Sequence, residues 1–198
     1  MPQVFSRRVH SNKIVFFDQG KGSVLVLIHG MFGDHLDWEP VLAPLAKCHR
    51  VIAVDLPGFG GSDKPARQYT AEFFVDTLHD LLLQLEVARA TLVGNSFGGQ
   101  IAMLYTLRHP QKVERLILVG SMGLRQFSPE EQQAAYQRLS EAVIAALTPE
   151  ANELMFAPIF AKASENRLRY LQKQNAKLKW PDYPAYVRCW RSYKNVAF

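Results

Sequence analysis

The stretch Ala90-Thr91-Leu92-Val93-Gly94-Asn95-Ser96-Phe97-Gly98-Gly99-Gln100-Ile101 carries the most information in the chain. A short apolar run stops at Gly94. A serine stands two residues on, two glycines follow, and a helical pattern runs from Phe97 to Arg108, just short of Pro110. This is G-x-S-x-G in the setting it needs: strand, sharp turn, helix. The spacing has a steric reason. A chain that reverses so abruptly holds its serine in a strained backbone conformation, and Gly94 and Gly98 leave room for the close approach. The Ser96 hydroxyl is expected to project from the top of a sheet at the positive end of a helix, with the Phe97 N–H facing the space where an oxyanion would form.

Upstream, short strand-like runs alternate with helix-like runs. Val4–Val9 and Lys13–Phe17 read as a hairpin turning near Ser11-Asn12. Val24–Ile28 is continuously apolar, as in a strand buried on both faces. Trp38–Ala46 reads as a helix, Val51–Val54 as a strand and Thr70–Leu85 as a helix with Thr70 as its cap. After the central motif, Val113–Val119 reads as one more strand. This cadence implies parallel βαβ units: an α/β fold with an open, doubly wound, mostly parallel sheet. In such sheets ligands bind beyond the carboxyl ends of the strands. His29-Gly30, Asp55, Ser96 and Gly120-Ser121 all fall there.

Two further motifs follow strands directly. His29-Gly30-Met31-Phe32-Gly33 is a tight glycine loop able to aim a second backbone N–H, by position that of Met31, at the same oxyanion; a plain strand-to-helix turn is the other reading. His29 is assigned a structural, hydrogen-bonding role within the loop. Asp55-Leu56-Pro57-Gly58-Phe59-Gly60-Gly61-Ser62-Asp63 is a rigid turn, with Asp55 and Asp63 as turn-formers rather than catalytic acids.

The three motifs together resemble the α/β-hydrolase superfamily, in its lipase/esterase-like, cap-bearing branch. The resemblance is close over residues 13–123 and implies a core at 1–123, its last strands missing, with a helical cap or lid region at 124–198. It implies Ser96 as nucleophile, Met31 and Phe97 as oxyanion N–H donors, and His29, Gly30, Gly94 and Gly98 as supporting residues. Epoxide hydrolases and haloalkane dehalogenases are similar here but carry aspartate where this chain has Ser96. Serine therefore points to acyl chemistry on an ester, thioester or amide, or on the carbon–carbon bond of a diketone-type compound. The Gly94–Gly99 form looks like that of the carbon–carbon hydrolases.

In that family an acid and then a histidine follow the serine. Here only His109 of the six histidines follows Ser96, thirteen residues on and so roughly 20 Å away along a helix. Asp182 is the sole later aspartate and suits a helix cap. The expectation is an N-terminal piece of such a hydrolase, slow or inactive as an esterase by itself. The reading from a different class is a non-catalytic protein that binds a ligand or partner.

Composition narrows the rest. The chain has 198 residues, 48% hydrophobic and 21% charged, which suits one domain with a subdomain. Cys48 and Cys189 stand far apart without a CxxC, so no metal ribbon or disulfide scaffold is expected, and no cofactor or metal is implied. The first residues lack an apolar h-region and no apolar run spans a bilayer, giving the expectation of a cytoplasmic protein off the membrane. The net charge of +5 lies mostly in 165–194, where eight basic residues are dispersed among apolar ones, so nucleic acid is not expected as a partner. The expected partner is a small, moderately apolar acyl or ester substrate. Self-association through an uncovered edge at Val113–Val119 is a further expectation. Ser128-Pro129-Glu130-Glu131 reads as a helix start. The aromatic residues from Tyr183 to Tyr193 read as a packing face, with the lining of a substrate pocket as the other reading.

Overall fold

The computed structural model describes residues 3–124, 128–131, 133 and 172. β1 (Val4–Val9) and β2 (Asn12–Gln19) form the expected antiparallel hairpin, with Val9 opposite Asn12. The turn sits one residue earlier than Ser11-Asn12. His10 and Ser11 have φ of 47° and 68°, the paired positive angles that match a hairpin's twist. Glycine usually fills such a turn, and without one the sequence places the turn only to within a residue.

β3 (Val24–Ile28) is followed by a 3-10 turn, His35–Trp38, and then α1 (Glu39–Ala46). The helix expected from Trp38 is thus two elements. Asp34 caps the first, its carboxylate accepting from the Leu36 N–H at 2.9 Å. The second starts at Glu39, where Pro40 costs no hydrogen bond because first-turn N–H groups have no helical partner. β4 (Arg50–Val54) leads to α2 (Ala71–Gln84). Thr70 caps α2, accepting from the Phe73 N–H at 3.2 Å, and Phe73, Phe74, Leu78, Leu81 and Leu82 recur on its buried face. β5 (Ala90–Asn95), α3 (Phe97–Arg108), a 3-10 turn (Pro110–Lys112) and β6 (Val113–Val119) complete the described core.

The six strands form one sheet in the order β1-β2-β4-β3-β5-β6. β1, β2 and β4 pair antiparallel; β4, β3, β5 and β6 run parallel. The path from β3 to β4 steps one way, and that from β4 to β5 steps back across β3. Right-handed crossovers then put α1 and α2 on opposite faces. Side chains alternate accordingly. Phe17, Leu27, Val51 and Ala53 bury against Leu42 of α1, with Leu25, Trp38 and Leu45 around them. The alternate residues Phe16, Val26, Ile28, Ile52 and Val54, each 2% exposed or less, face the other way. The direction reverses between β3 and β5, the position in such sheets beyond whose carboxyl ends ligands bind, and these two strands are paired up to Ile28 against Gly94. Continuing that register brings Gly30 level with Ser96.

β6 is the last strand of the described sheet, and its Ile117 and Val119 remain exposed. The helix start at Ser128 forms a reciprocal cap. The Ser128 N–H donates to Glu131 Oε2 at 2.9 Å and the Glu131 N–H to Ser128 Oγ at 3.2 Å. The remainder of the expected cap at 124–198, with Cys189 and the aromatic residues near it, lies outside the described residues. Among the described residues no helix is long and apolar enough to cross a membrane.

Candidate active site

Ser96 stands between β5 and α3 with φ 51° and ψ −114°, a conformation that costs an L-residue about 1–3 kcal/mol. The surroundings hold it there. Its N–H donates to the Val119 carbonyl at 3.0 Å, and its own carbonyl accepts from the Met122 and Gly99 N–H groups, both at 3.0 Å. Asn95 Nδ2 donates to the same Val119 carbonyl at 3.1 Å. The end of β6 therefore grips the turn from the side. The Ser96 side chain is half-buried and does not cap α3.

The elbow glycines are required by contact. A Cβ on Gly94 would lie 2.5 Å from the Gly98 carbonyl oxygen and the Gly99 Cα. A Cβ on Gly98 would collide with the Ile28 and His29 carbonyl oxygens, so α3 starts directly on the end of β3. Gly30 faces the elbow: a Cβ there would lie 2.9 Å from Asn95 Oδ1 and 3.4 Å from Ser96 Cβ. Ser96 and the loop after β3 are thus neighbours, with Met31 half-buried next in that loop and Phe97 buried edge-on against Phe74, ring centroids 5.2 Å apart.

His29 is fully buried. Its Nδ1 lies 2.7 Å from the Gly30 carbonyl, and the Leu56 N–H donates to its Nε2 at 3.1 Å. A carbonyl cannot donate and an amide N–H cannot accept, so the ring is neutral with its proton on Nδ1. Burial holds its pKa below the ordinary histidine value, against the pull of Asp55. The ring also meets Phe59 edge-on at 5.4 Å. It links the loop after β3 to the loop after β4.

Asp55 anchors the second loop. Its Oδ1 accepts from the His35 N–H at 2.7 Å and faces His35 Nδ1 at 2.8 Å, while Oδ2 accepts from the Gly61 N–H at 2.8 Å. Asp63 accepts from the Lys13 N–H at 2.7 Å, pinning the loop to β2. Both carboxylates are occupied in shaping backbone.

His109 ends α3 with its ring stacked on His79, centroids 4.0 Å apart and 4° from parallel. Tyr105 lies beside them, 3.3 Å from His79 Nδ1, and burial pushes its phenol up to about 12. Burial, His79 and Arg108 together lower the His109 pKa. A cation there is disfavoured, although a helix C-terminus alone would favour one. The other imidazoles are also engaged: His10 with Asp80 at 2.8 Å and His49 with Ser23 Oγ at 2.7 Å. Among the described residues no cluster of three or more His, Cys, Asp or Glu side chains is arranged to hold a metal ion. Sequence reasoning missed Asn95 as a brace and the Val119 carbonyl as a shared acceptor; the second is a backbone group and leaves no mark in sequence.

A strained serine between a parallel strand and a helix, with a glycine loop from the neighbouring strand against it, is the arrangement of one fold family. Residues 23–188 match the family described as the alpha/beta hydrolase fold. The chain belongs to the α/β-hydrolase family. Among its relatives is the 2-hydroxymuconate semialdehyde hydrolase of Pseudomonas sp. strain CF600, 46% identical over 111 residues, or 54% of this chain and 39% of that protein. An uncharacterized Mycobacterium tuberculosis protein is 41% identical over 123 residues, 62% of this chain and 36% of its own length. A meta-cleavage product hydrolase from Pseudomonas fluorescens IP01, solved as a mutant with acetates, superposes with a TM-score of 0.75 at 26% identity, over 92% of this chain and 66% of that one. The matched segment spans well under half of either curated relative.

Proposed function

We propose that this α/β-hydrolase chain carries the nucleophile and oxyanion half of a serine hydrolase site. Ser96 Oγ attacks a carbonyl carbon, the carbonyl oxygen gains the negative charge, and the Phe97 and Met31 N–H groups receive it. The tetrahedral species then expels its leaving group and leaves an acyl-serine for water to open. The substrate is a small, moderately apolar carbonyl compound: an ester or, as the relative's name suggests, a ketone whose neighbouring carbon–carbon bond is cleaved. The observation that carries the reading is the positive φ of Ser96 with Gly30 packed against it.

The attack also needs an acceptor for the Ser96 proton. Each of the six histidines is engaged with another group, and none of those groups is Ser96. The acceptor is therefore proposed to come from polypeptide that the longer relatives have outside the matched segment. Residues 124–198 are proposed as the lid over the acyl pocket, the β6 edge as a surface for self-association, and the cytoplasm as the compartment.

The test is reaction with a fluorophosphonate probe, followed by mass spectrometry of the labelled peptide. The native chain is expected to carry the adduct on Ser96, faster than the urea-unfolded chain, and Ser96→Ala to carry none. Equal labelling of folded and unfolded chain would remove the claim of an activated serine. It would favour the second reading, a non-catalytic member that binds ligand, which the engagement of all six imidazoles supports.

A further inference from the structure

We infer that Gly120 is a positioning residue whose left-handed turn holds Ser96 in its strained conformation, an inference that rests on the serine hydrolase reading for what Ser96 does there. β5 and β6 are paired in register as far as Asn95 against Val119. In a parallel ladder, a residue that donates to one carbonyl of the neighbouring strand accepts from the N–H two residues further along that strand. Ser96 donates to the Val119 carbonyl at 3.0 Å, so a regular ladder would have it accept from Ser121. It accepts from Met122 instead, also at 3.0 Å. One extra residue has entered on the β6 side, as in a β-bulge.

Gly120 makes room for that residue by conformation. Its φ is 54°, the left-handed region that a bulge reserves for glycine. Apart from its chain neighbours, a Cβ on Gly120 would meet no heavy atom of the described residues within 4 Å. The glycine is therefore required by its φ and not by space, unlike Gly94 and Gly98, which contact requires. The two unusual angles answer each other. Ser96 leaves the strand with φ 51° and takes its carbonyl off the ladder, and the extra residue lets the Met122 N–H follow it. The turn also lies against α3, because a Cβ on Gly99 would overlap Ser121 Oγ. The Gly99 N–H bond to the Ser96 carbonyl comes with the first turn of the helix. The bonds to Val119 and Met122 are the ones that tie the backbone of Ser96 to the sheet, and Gly120 stands between them.

Three substitutions separate positioning from mere structural support. A β-branched residue is the least able to keep a positive φ, whereas asparagine tolerates it, so Gly120→Val opens the turn and Gly120→Asn keeps it. Gly123→Val is the control, because Gly123 also has a positive φ, 87°, but lies beyond Met122. The readout is the rate of Ser96 acylation by p-nitrophenyl acetate per folded molecule, with thermal midpoints measured alongside. A merely structural glycine would move the midpoints and leave that rate alone. Gly120→Val is expected to slow acylation by about 10²-fold, the cost of misplacing a reacting atom by about 1 Å, and Gly120→Asn and Gly123→Val to stay within about tenfold of the parent. Should Gly120→Val fail to fold, Gly120→Ala takes its place with the same order of rates. A parental rate in the variant that opens the turn, or equal slowing by Gly120→Asn or by Gly123→Val, would overturn the positioning role. If the parent chain reacts no faster than Ser96→Ala, the serine hydrolase reading itself fails. The positioning claim is then decided by the crystal structure of whichever of the valine and alanine variants folds: a Ser96 that has left positive φ supports it, and an unmoved Ser96 ends it.

Discussion

Replacing Gly98 with alanine tests the seat of α3 most sharply. A Cβ there would overlap two carbonyl oxygens at the end of β3, and its distance to the Ile28 carbonyl carbon would be 2.7 Å. All three are backbone atoms of buried residues, Ile28 at the end of β3 and His29 just after it, so no side chain can swing aside. Restoring an ordinary contact of about 3.4 Å to that carbon requires α3 and β3 to part by roughly 0.7 Å in a close-packed interior. Overpacking of this kind costs about 1–3 kcal/mol. The displaced helix begins with Phe97 and carries Ser96 at its cap, and misplacement on the order of 1 Å costs about 10²-fold in reactivity. Urea denaturation and the rate of Ser96 acylation by p-nitrophenyl acetate measure the two effects. Gly61→Ala is the control, because the three atoms nearest a Cβ at Gly61 all belong to the Val15 side chain, the closest at 3.2 Å. It should change stability by less than about 0.5 kcal/mol. A Gly98→Ala protein as stable and as reactive as the parent would refute the idea that α3 is seated directly on β3.

Three other outcomes are expected. Gln100, 1% exposed, has no hydrogen-bond partner for either side-chain amide atom among the described residues, so Gln100→Met should raise stability by about 1 kcal/mol in urea titrations. Thr70→Ala removes the α2 cap and should lower stability by about 1 kcal/mol, read in the same way. The depressed pKa of His109 means that the folded chain binds fewer protons than the unfolded one, so its contribution is full above the unfolded value of 6.5 and is lost as pH falls through the lower folded value. His29 contributes with the same sign. His109→Gln should flatten the loss of the thermal midpoint below neutral pH, and an unchanged slope would show that the His79 stack carries no pH dependence.

The elements with an unbroken apolar pattern are the ones their sequences reveal. Val24–Ile28 and Phe97–Arg108 occupy the expected residues, because buried strands and a helix ended before Pro110 leave periodic traces. The hairpin turn and the start of α1 differ by a residue or so for local reasons. His10 and Ser11 take positive φ without being glycine, and Asp34 builds a separate 3-10 turn before Pro40. At the candidate site the Ser96 turn and both strand-end loops are legible, since their glycines are placed by contact distances. What ties them together is not. The links made by His29 to Leu56 and by Ser96 and Asn95 to Val119 run through backbone groups, and a backbone carbonyl is the same at every residue. The neutral state of His29 likewise follows from burial and two specific partners, which no spacing of residues encodes.

The most direct test of the account is a crystal structure of the chain after reaction with a fluorophosphonate. It should show phosphorus on Ser96 Oγ, with the phosphoryl oxygen about 2.7–3.1 Å from the backbone nitrogens of both Phe97 and Met31. An adduct on another residue, or a phosphoryl oxygen turned to solvent away from those two amides, would contradict it.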